Sequence, residues 1–372
     1  MKRPPVALLW VWASLAFPSW SVVDKWLHLP GVIGYTVATA LALLMAPRLF
    51  TAIPQRATRA LGALTLLCLT VVFLWVYPIV NTHAENSGSD DDDAHNVGVA
   101  ALLDGQSPYS RVTYLGNSLH QLPGSFVLAA PFALIWTSAL QNLFWLPLFF
   151  LVVRREVSER RTPLVLAWLV LGLSPAVLHA LVTGSSYSTN AISVLLAMWW
   201  LLRTPLSTLA ALAFGLALCS RPNFWFLVPL VFAWLGREAG WHLAIRQMAI
   251  AGALVAGSVL PFYIVSPDFG PLDAWDRLGR YDALVPFAGI AIVMAMGAIA
   301  IGLSCVRVDR AGLFRYCALV LAFPVVVSLI LSCALDGYPD FTIAAYGSFA
   351  SWFALMAVAT DLESWLTGGT ET

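Results

Sequence analysis

Charge is the scarcest property of this chain. Only 11% of its 372 residues are Asp, Glu, Lys or Arg, while 60% are hydrophobic. A soluble domain carries about a quarter charged residues, so that class is excluded. The formal net charge is zero, and the chain therefore lacks the basic field that nucleic-acid-binding proteins use. We predict no nucleic-acid partner.

Cysteine is also sparse and carries no pattern. The five residues lie mostly inside apolar runs, and none forms a CxxC or a Cys/His spacing. This distribution favours small buried apolar side chains over a zinc site or a disulfide framework. The five are Cys68, Cys219, Cys305, Cys317 and Cys333.

Long apolar runs are what the chain has in excess. A run of about twenty apolar residues can cross a bilayer as a helix, and backbone groups in lipid must be satisfied within the segment. We therefore predict an all-α, polytopic helical membrane protein, with one transmembrane domain over 1–372 and about twelve transmembrane helices. The predicted spans are 6–23, 31–47, 60–80, 137–153, 162–183, 188–202, 206–219, 223–236, 247–265, 284–304, 316–333 and 341–360.

Two segments allow more than one threading, and the positive-inside rule decides between them. Segment 122–153 crosses once or twice, and segment 206–236 is one crossing or a hairpin with "SRPN" (Ser220–Asn223) at its tip. A single crossing of 122–153, whose first half lies at the outer interface, and a hairpin keep most cations in the cytoplasm, with both termini cytoplasmic in a multi-pass plasma or inner membrane protein. Only five of the twenty Lys and Arg residues then lie outside: Lys25, Arg111, Arg221, Arg277 and Arg280.

The longest predicted outer loop, with its juxtamembrane helices, covers 81–136 and opens with "SGSDDDDAHNVGVAALLDGQSPY" (Ser87–Tyr109). Loops of that length are usually functional or disordered. The spacing of Val97, Ala101 and Asp104 predicts a helix, with Asp90–Asp93 at its N-cap and first turn, where the helix dipole favours carboxylates. Locally, an acidic cap on a surface helix explains the four acids as well as a catalytic site does.

The order of motifs along the chain carries a family resemblance. "DDDAHNVGVAALLDGQSPY" is followed by "HQLPGSFVLAAPFALI", and later by a polar turn, a helix and "SRPN", in which Arg221-Pro222 is a basic-Pro pair. This order resembles the GT-C superfamily of integral membrane glycosyltransferases, which includes mannosyltransferases. The resemblance implies transfer of a sugar from a polyprenyl-phosphate donor to a lipid, glycan or protein hydroxyl in the cell envelope. It aligns Asp92 with the functional aspartate, with Asp93 beside it and Asp91 if the register slips by one.

The residues suit that chemistry. An ionised Asp can take the acceptor proton, and clustered acids raise one another's pKa, which suits a base. One carboxylate with a phosphate leaving group implies direct displacement with inversion. Arg221, recessed before a helix start, is the first candidate for the donor phosphate; the alternative is an ordinary interfacial Arg. Arg277 and Arg280, three apart, are further candidates, unless they pair with Asp273 or Asp276.

The remaining candidates surround the acids. Predicted substrate-binding residues are His95, Asn96, Tyr109, His120, Tyr187 and Asn223. Asp92 with His95 is the candidate site for a divalent cation, although no pair has the spacing of a fixed metal site. No other cofactor is predicted, and the residues do not specify the sugar, the acceptor or the lipid length.

Two other functions remain open at this stage. Twelve spans with both ends inside also describe major facilitator transporters, and "DRLGR" (Asp276–Arg280) resembles part of their loop motif. Against that interpretation, the threading puts this motif outside, whereas transporters carry it in the cytoplasm. The third possibility is a non-catalytic lipid-binding membrane subunit, in which the four acids only cover the surface. Loss of the acids would be tolerated in that case.

Overall fold

The computed structural model describes residues 6–84, 88–266, 269–272 and 278–367, and within these ranges the protein is all-helical, as predicted. No strand occurs there; Val112 and Ser118 form one isolated antiparallel bridge. The helices of these ranges are α1 (Val6–Leu43), α2 (Ala46–Ala52), α3 (Thr58–Val80), α4 (Asp91–Leu103), α5 (Pro123–Ile135), α6 (Gln141–Glu156), α7 (Thr162–Leu173), α8 (Pro175–Thr183), α9 (Tyr187–Arg203), α10 (Thr208–Leu218), α11 (Val228–Glu238), α12 (Trp241–Val265), α13 (Ala288–Ser304), α14 (Arg310–Asp336), α15 (Ser348–Ala357) and α16 (Ala359–Leu366).

Several of these helices are long and apolar enough to cross a membrane. Four stretches qualify alone by length and composition: Val6–Leu43 (α1, which folds back on itself at His28), α3 with the turn before it, α12 and α14. The number rises to seven if each of three bent helix pairs makes one crossing. These helices are consistent with a multi-pass integral membrane protein, and the count of twelve spans stays a prediction.

Helix α1 is two antiparallel helices joined at His28. His28 has φ 53° and ψ −169°, which is not helical. The indole of Trp12 donates to the carbonyl of Thr36 at 3.0 Å, although the two residues are 24 apart in sequence. In one straight helix they would lie about 36 Å apart. The two halves correspond to the predicted spans 6–23 and 31–47.

Two sharp bends shape the part of the fold that carries the acids. Helices α5 and α6 meet at 105°, so segment 122–156 is not one straight crossing. The predicted span 162–183 is bent by 81° between α7 and α8, which the sequence pattern did not indicate. The second bend falls at Ser174–Pro175, where proline has no N–H to donate and disfavours a helical conformation in the residue before it.

The core lies among α6, α9, α14 and α15, and every residue of α15 is buried. Helices α6 and α9 run in the same direction. Near their starts, the amide of Asn142 donates to the carbonyl of Ser185, and at their ends Glu156 accepts hydrogen bonds from Trp199 and Arg203. We call the end with the starts of α6 and α9 the loop end, and the opposite end the arginine end.

Candidate functional site

The acidic run starts helix α4 at the loop end and is buried there. Asp91, Asp92 and Asp93 occupy the first turn and expose 9%, 2% and 9% of their surfaces. The helix itself was predicted correctly, but its interpretation as a surface helix with a solvated acidic cap is wrong. Carboxylates are almost never buried without partners, so each of these must be held by specific neighbours.

Asp91 is held by three donors from distant parts of the chain. Its Oδ1 accepts from Gln121 Nε2 at 2.7 Å and from Arg221 Nη2 at 3.0 Å, and its Oδ2 accepts from the backbone N–H of Ser186 at 2.6 Å. Burial opposes ionisation, but the charge of Arg221 and the bond from Ser186 outweigh it and hold the pKa of Asp91 below its usual value. Asp91 is therefore ionised, and its carboxylate is held in place by these three donors.

Arg221 projects from the turn between α10 and α11 towards that carboxylate. Its side chain is only 13% exposed, and its guanidinium lies 5.7 Å from the centre of the Tyr187 ring. The turn is fixed to the segment before α5 because the N–H of Leu122 donates to the carbonyl of Ser220 at 3.1 Å. The Nε of Arg221 is buried and has no partner among the described residues. Arg221 thus neutralises Asp91, while its Nε–H has no hydrogen-bond acceptor among the described residues.

Asp92, one residue later, meets a different environment. The hydroxyl of Tyr77, near the end of α3, donates to its Oδ2, and Tyr77 is the only side chain in the described part of the chain that donates to Asp92. Burial raises the pKa of Asp92 to about 6, and the negative charge of Asp91 adds to the rise, while the Tyr77 bond opposes it. Asp92 therefore exchanges a proton near neutral pH.

The wall behind Asp92 is a hydrogen-bonded cluster at the bend between α5 and α6. Thr137 Oγ1 lies 2.7 Å from the Tyr77 hydroxyl, and Asn96 Oδ1 accepts from the N–H of Ser138 at 2.8 Å. Ser138 in turn donates from Oγ to the carbonyl of Asp92 at 2.9 Å. These bonds fix both the backbone and the side chain of Asp92.

Gly184 closes the other side of Asp92. It ends α8 with a φ of 75°, a conformation that glycine adopts without strain. A Cβ at this position would lie 2.7 Å from Asp92 Cβ and 2.9 Å from Ala139 Cβ. The polar turn noted in the sequence, "TGSSY" (Thr183–Tyr187), therefore passes directly over the side chain of Asp92.

Asp90 and Asp93 shape the loop. Asp90 Oδ2 accepts from Thr113 Oγ1 at 2.9 Å and from Asn117 Nδ2 at 2.7 Å, and its side chain does not cap α4. Asp93 Oδ2 accepts from the N–H of Tyr114 at 2.8 Å. Both carboxylates therefore hold the turn around residues 113–117 against the helix. This arrangement favours Asp92 over Asp93 as the chemically available acid.

His95 lies inside the protein and is fully engaged. Its Nδ1 is 2.6 Å from the carbonyl of Asp91, to which it donates, and its Nε2 is 2.7 Å from Ser125 Oγ. Burial lowers the pKa of His95, and the Ser125 hydroxyl that it contacts also donates to Asn190 Oδ1 at 3.2 Å. Among the described residues, no three His, Cys, Asp or Glu side chains are arranged to hold a metal ion. The structure therefore does not bring Asp92 and His95 together in a metal cluster.

The other predicted substrate-binding residues are spread over the loop end. Tyr109 is buried and donates to the carbonyl of Gln121 at 2.9 Å, which places it in the support of the loop. His120 Nδ1 lies 3.0 Å from the carbonyl of Gly270. Tyr187 is half-buried beside Arg221, and Asn223 is half-buried in the turn Pro222–Leu227. Of this set, Asn96 and Tyr187 adjoin the acidic site directly.

Of the second predicted phosphate site, Arg277 and Arg280, the structure describes only Arg280. Arg280 pairs with Asp336, the last residue of α14, at 2.8 Å and with Asp340, just after that helix, at 3.2 Å. The expected alternative partners, Asp273 and Asp276, lie outside the described residues, as does Arg277. Arg280 is 43% exposed and belongs to a surface ion-pair cluster, separate from the buried pair of Arg221.

Four residues that complete the site were missed in the sequence. Tyr77, Gln121, Ser186 and Gly184 contact Asp91 or Asp92 from positions 15 to 95 residues away from their partners. Two signals existed: Tyr77 is a polar group one turn before an apolar span ends, and "TGSSY" is a polar turn. Neither indicates which acid it contacts.

Comparison with known proteins adds no assignment. The chain matches no family model, no curated protein and no solved structure.

Proposed function

We propose that this protein is a GT-C-like membrane glycosyltransferase. It moves a sugar from a polyprenyl-phosphate donor to a lipid, glycan or protein hydroxyl at the outer membrane face. The observation that carries the proposal is the pair of adjacent buried carboxylates, of which Asp91 is neutralised by Arg221 and Asp92 has a pKa of about 6. A carboxylate with a purely structural role would not need the raised pKa that Asp92 has.

Asp92 is the general base in this proposal. A base works best when its pKa lies near the operating pH, and burial brings Asp92 there. Tyr77 bonds one carboxylate oxygen, so the acceptor hydroxyl would use the other. Because Asp92 is only 2% exposed, the acceptor must enter the site, and bulk water is held away from the reaction.

The reaction is a single displacement. The acceptor oxygen attacks the anomeric carbon and forms the new glycosidic bond while its proton passes to Asp92. The bond between the anomeric carbon and the phosphate oxygen breaks, and its electron pair leaves with the polyprenyl phosphate. Attack opposite the leaving group inverts the anomeric configuration.

Arg221 would stabilise the departing phosphate. The unpaired Nε of Arg221 is a buried charged donor, and an arginine fork binds phosphate through paired hydrogen bonds. The bond from Arg221 Nη2 to Asp91 orients the guanidinium without using its whole donor set. Asp91 is thus a positioning residue in this proposal, and Asp92 is the catalytic one.

The proposal includes the threading with twelve crossings and the loop end outside. It is tested by replacing the five cysteines, introducing Ser89→Cys or Ala274→Cys, and labelling intact cells with a membrane-impermeant thiol reagent. Labelling of both positions supports the threading. Protection of Ala274→Cys would instead support the major facilitator interpretation, which rests on the motif Asp276–Arg280. Within that motif, Arg280 forms ion pairs with two acids.

The activity test uses membranes containing the full-length protein and polyprenyl phosphates carrying radiolabelled mannose, glucose, galactose or arabinose. We expect label transfer with one donor, and a loss of about 10²–10⁴-fold in Asp92→Asn. This variant should fold, because the amide avoids burying a charge. Asp104→Asn, at an exposed carboxylate beyond α4, is the matched control and should keep full activity.

Two results would contradict the proposal. A folded Asp92→Asn protein with full transfer activity would exclude Asp92 as the base. The second result combines two observations: the folded wild-type protein transfers no sugar from any of the four donors, and Asp92→Asn is harmless to cells that depend on this protein. Together they would favour a non-catalytic lipid-binding subunit.

A further inference from the structure

A second feature of the molecule lies at the arginine end. Helices α3, α6 and α7 enclose a groove of about 760 Å³ with mainly apolar walls. Four arginines line it: Arg56 in the turn just before α3, Arg59 in the first turn of α3, Arg154 in the last turn of α6, and Arg160 just before α7. We call this feature the arginine groove. Its cations gather at one end because the three helices begin or finish there.

The four arginines lack acidic partners in the part of the chain that the structure describes. Arg154 donates to the carbonyl of Val157, and no carboxylate pairs with any of the four. The two nearest acids in sequence are committed elsewhere, Glu156 to Arg203 and Glu159 to Arg161. The groove therefore holds a concentration of positive charge that the described protein does not neutralise.

Away from the arginines the groove is mainly apolar and is open along one side. Leu66 and Leu69 of α3 face Leu146 and Phe150 of α6 across it. The indole of Trp168 donates to Thr65 at 2.9 Å, which ties α3 to α7. Farther along, α3 packs through Phe73 and Tyr77 against the loop end. A ligand that fits must therefore carry anionic charge at one end and hydrocarbon at the other.

We propose that the arginine groove binds an anionic phospholipid, with its phosphate on the arginines and one acyl chain between α3 and α6. Arginine forks match phosphate oxygens, and basic pockets between transmembrane helices are suited to lipid headgroups of this charge. The site stands apart from the proposed transferase site. It lies near the start of α3, whereas Tyr77, which bonds Asp92, lies near the end of this 23-residue helix.

The test uses the purified full-length protein in detergent, with dioleoyl phosphatidylglycerol or dioleoyl phosphatidylcholine added, and counts retained lipid by native mass spectrometry. We expect retention of the anionic lipid alone. In Arg56→Gln/Arg59→Gln, retention should fall by about tenfold or more, since each lost bond is charge-assisted. The control Arg246→Gln/Arg307→Gln removes the same charge outside the groove and should retain the lipid.

A second variant tests the acyl-chain position without changing charge. A Cβ on Gly62, which lines the groove, would meet no atom within 4 Å, so Gly62→Leu fills the groove without disturbing the fold. We expect it to lower lipid retention, whereas Gly257→Leu, at an exposed open glycine of α12, should not. Equal retention of both lipids, equal loss in the control variants, or displacement of the lipid by inorganic phosphate alone would overturn the proposal.

Discussion

Two arginine-carboxylate clusters in this protein have similar distances and different surroundings. Arg221 and Asp91 lie 3.0 Å apart, with 13% and 10% of their side chains exposed. Arg280 and Asp336 lie 2.8 Å apart, with 43% and 47% exposed. Water screens the second pair and cannot replace the first, so removal of one partner leaves very different charges behind.

The comparison teaches why the buried cluster is the candidate site. A buried charge needs a full set of partners, and Asp91 takes three donors. That commitment leaves the next residue, Asp92, beside a negative charge and away from solvent, which raises its pKa. In the surface cluster, solvent screens neighbouring charges and so weakens their effect on one another. Burial favours a raised pKa in both acids, and the charge of Arg221 with the bond from Ser186 reverses the direction for Asp91 alone.

The largest expected effect is from breaking the buried pair. Asp91→Asn leaves Arg221 charged and uncompensated, and we expect it to lower the free energy of unfolding by about 3–5 kcal/mol. Thermal unfolding of the detergent-solubilised protein measures the loss. The double variant Asp91→Asn/Arg221→Gln removes both charges and should lose less than the sum of the single variants. Strict additivity would show that the two residues do not interact.

Gly184→Ala should have the next largest effect. The new Cβ would collide with Asp92 and Ala139 and would adopt a positive φ, so we expect a loss of about 1–3 kcal/mol in stability and a marked fall in transfer activity. Gly172→Ala, in an open position of α7, is the matched control. An unchanged melting temperature in Gly184→Ala would mean that the chain does not pass this close to Asp92.

The pH dependence of transfer sharpens the contrast between the two acids. Asp92 acts as a base only when ionised, so the rate should rise with pH through about 6 and then level off. The Tyr77 bond favours the ionised form, and Tyr77→Phe should therefore move the rise to higher pH by about one unit. Asp91 is already ionised in this range and adds no step. An unmoved profile in Tyr77→Phe would argue against Asp92 as the titrating base.

The same titration affects stability in a defined direction. Folded Asp92 holds its proton up to about pH 6, whereas its ordinary pKa is 3.8. Its contribution to stability is therefore fully present below the ordinary value and is lost as pH rises through about 6. The difference in unfolding free energy between the wild type and Asp92→Asn, measured from pH 4 to pH 8, should follow this curve.

The smallest effect is expected in the surface cluster. Arg280→Gln removes two exposed ion pairs, and we expect a change of about 0–1 kcal/mol that shrinks further in high salt. Thermal unfolding at low and high salt measures it. A loss as large as that of Asp91→Asn would show that solvent does not screen this cluster and would remove the basis of the comparison.

Much of the architecture follows from local sequence. Apolar runs give helices, and the spacing around Val97 and Ala101 gives α4 with the acids in its first turn. Arg221 was recognised as an exceptional cation. What local sequence missed were the bend at Ser174–Pro175, the burial of α4 and the partners of Arg280. Each depends on contacts between segments far apart in the chain.

The sequence by itself determined that adjacent side chains in the run of four Asp residues point in different directions. With 3.6 residues per helical turn, successive side chains point about 100° apart, so adjacent acids face different surroundings, whereas Asp90 and Asp93, three apart, lie on the same side. Only the tertiary structure decided what each one meets: Asp90 and Asp93 the loop, Asp91 the guanidinium of Arg221, and Asp92 the hydroxyl of Tyr77. The physical reason is that identical carboxylates differ only in burial and in neighbouring charge, and both are properties of packing.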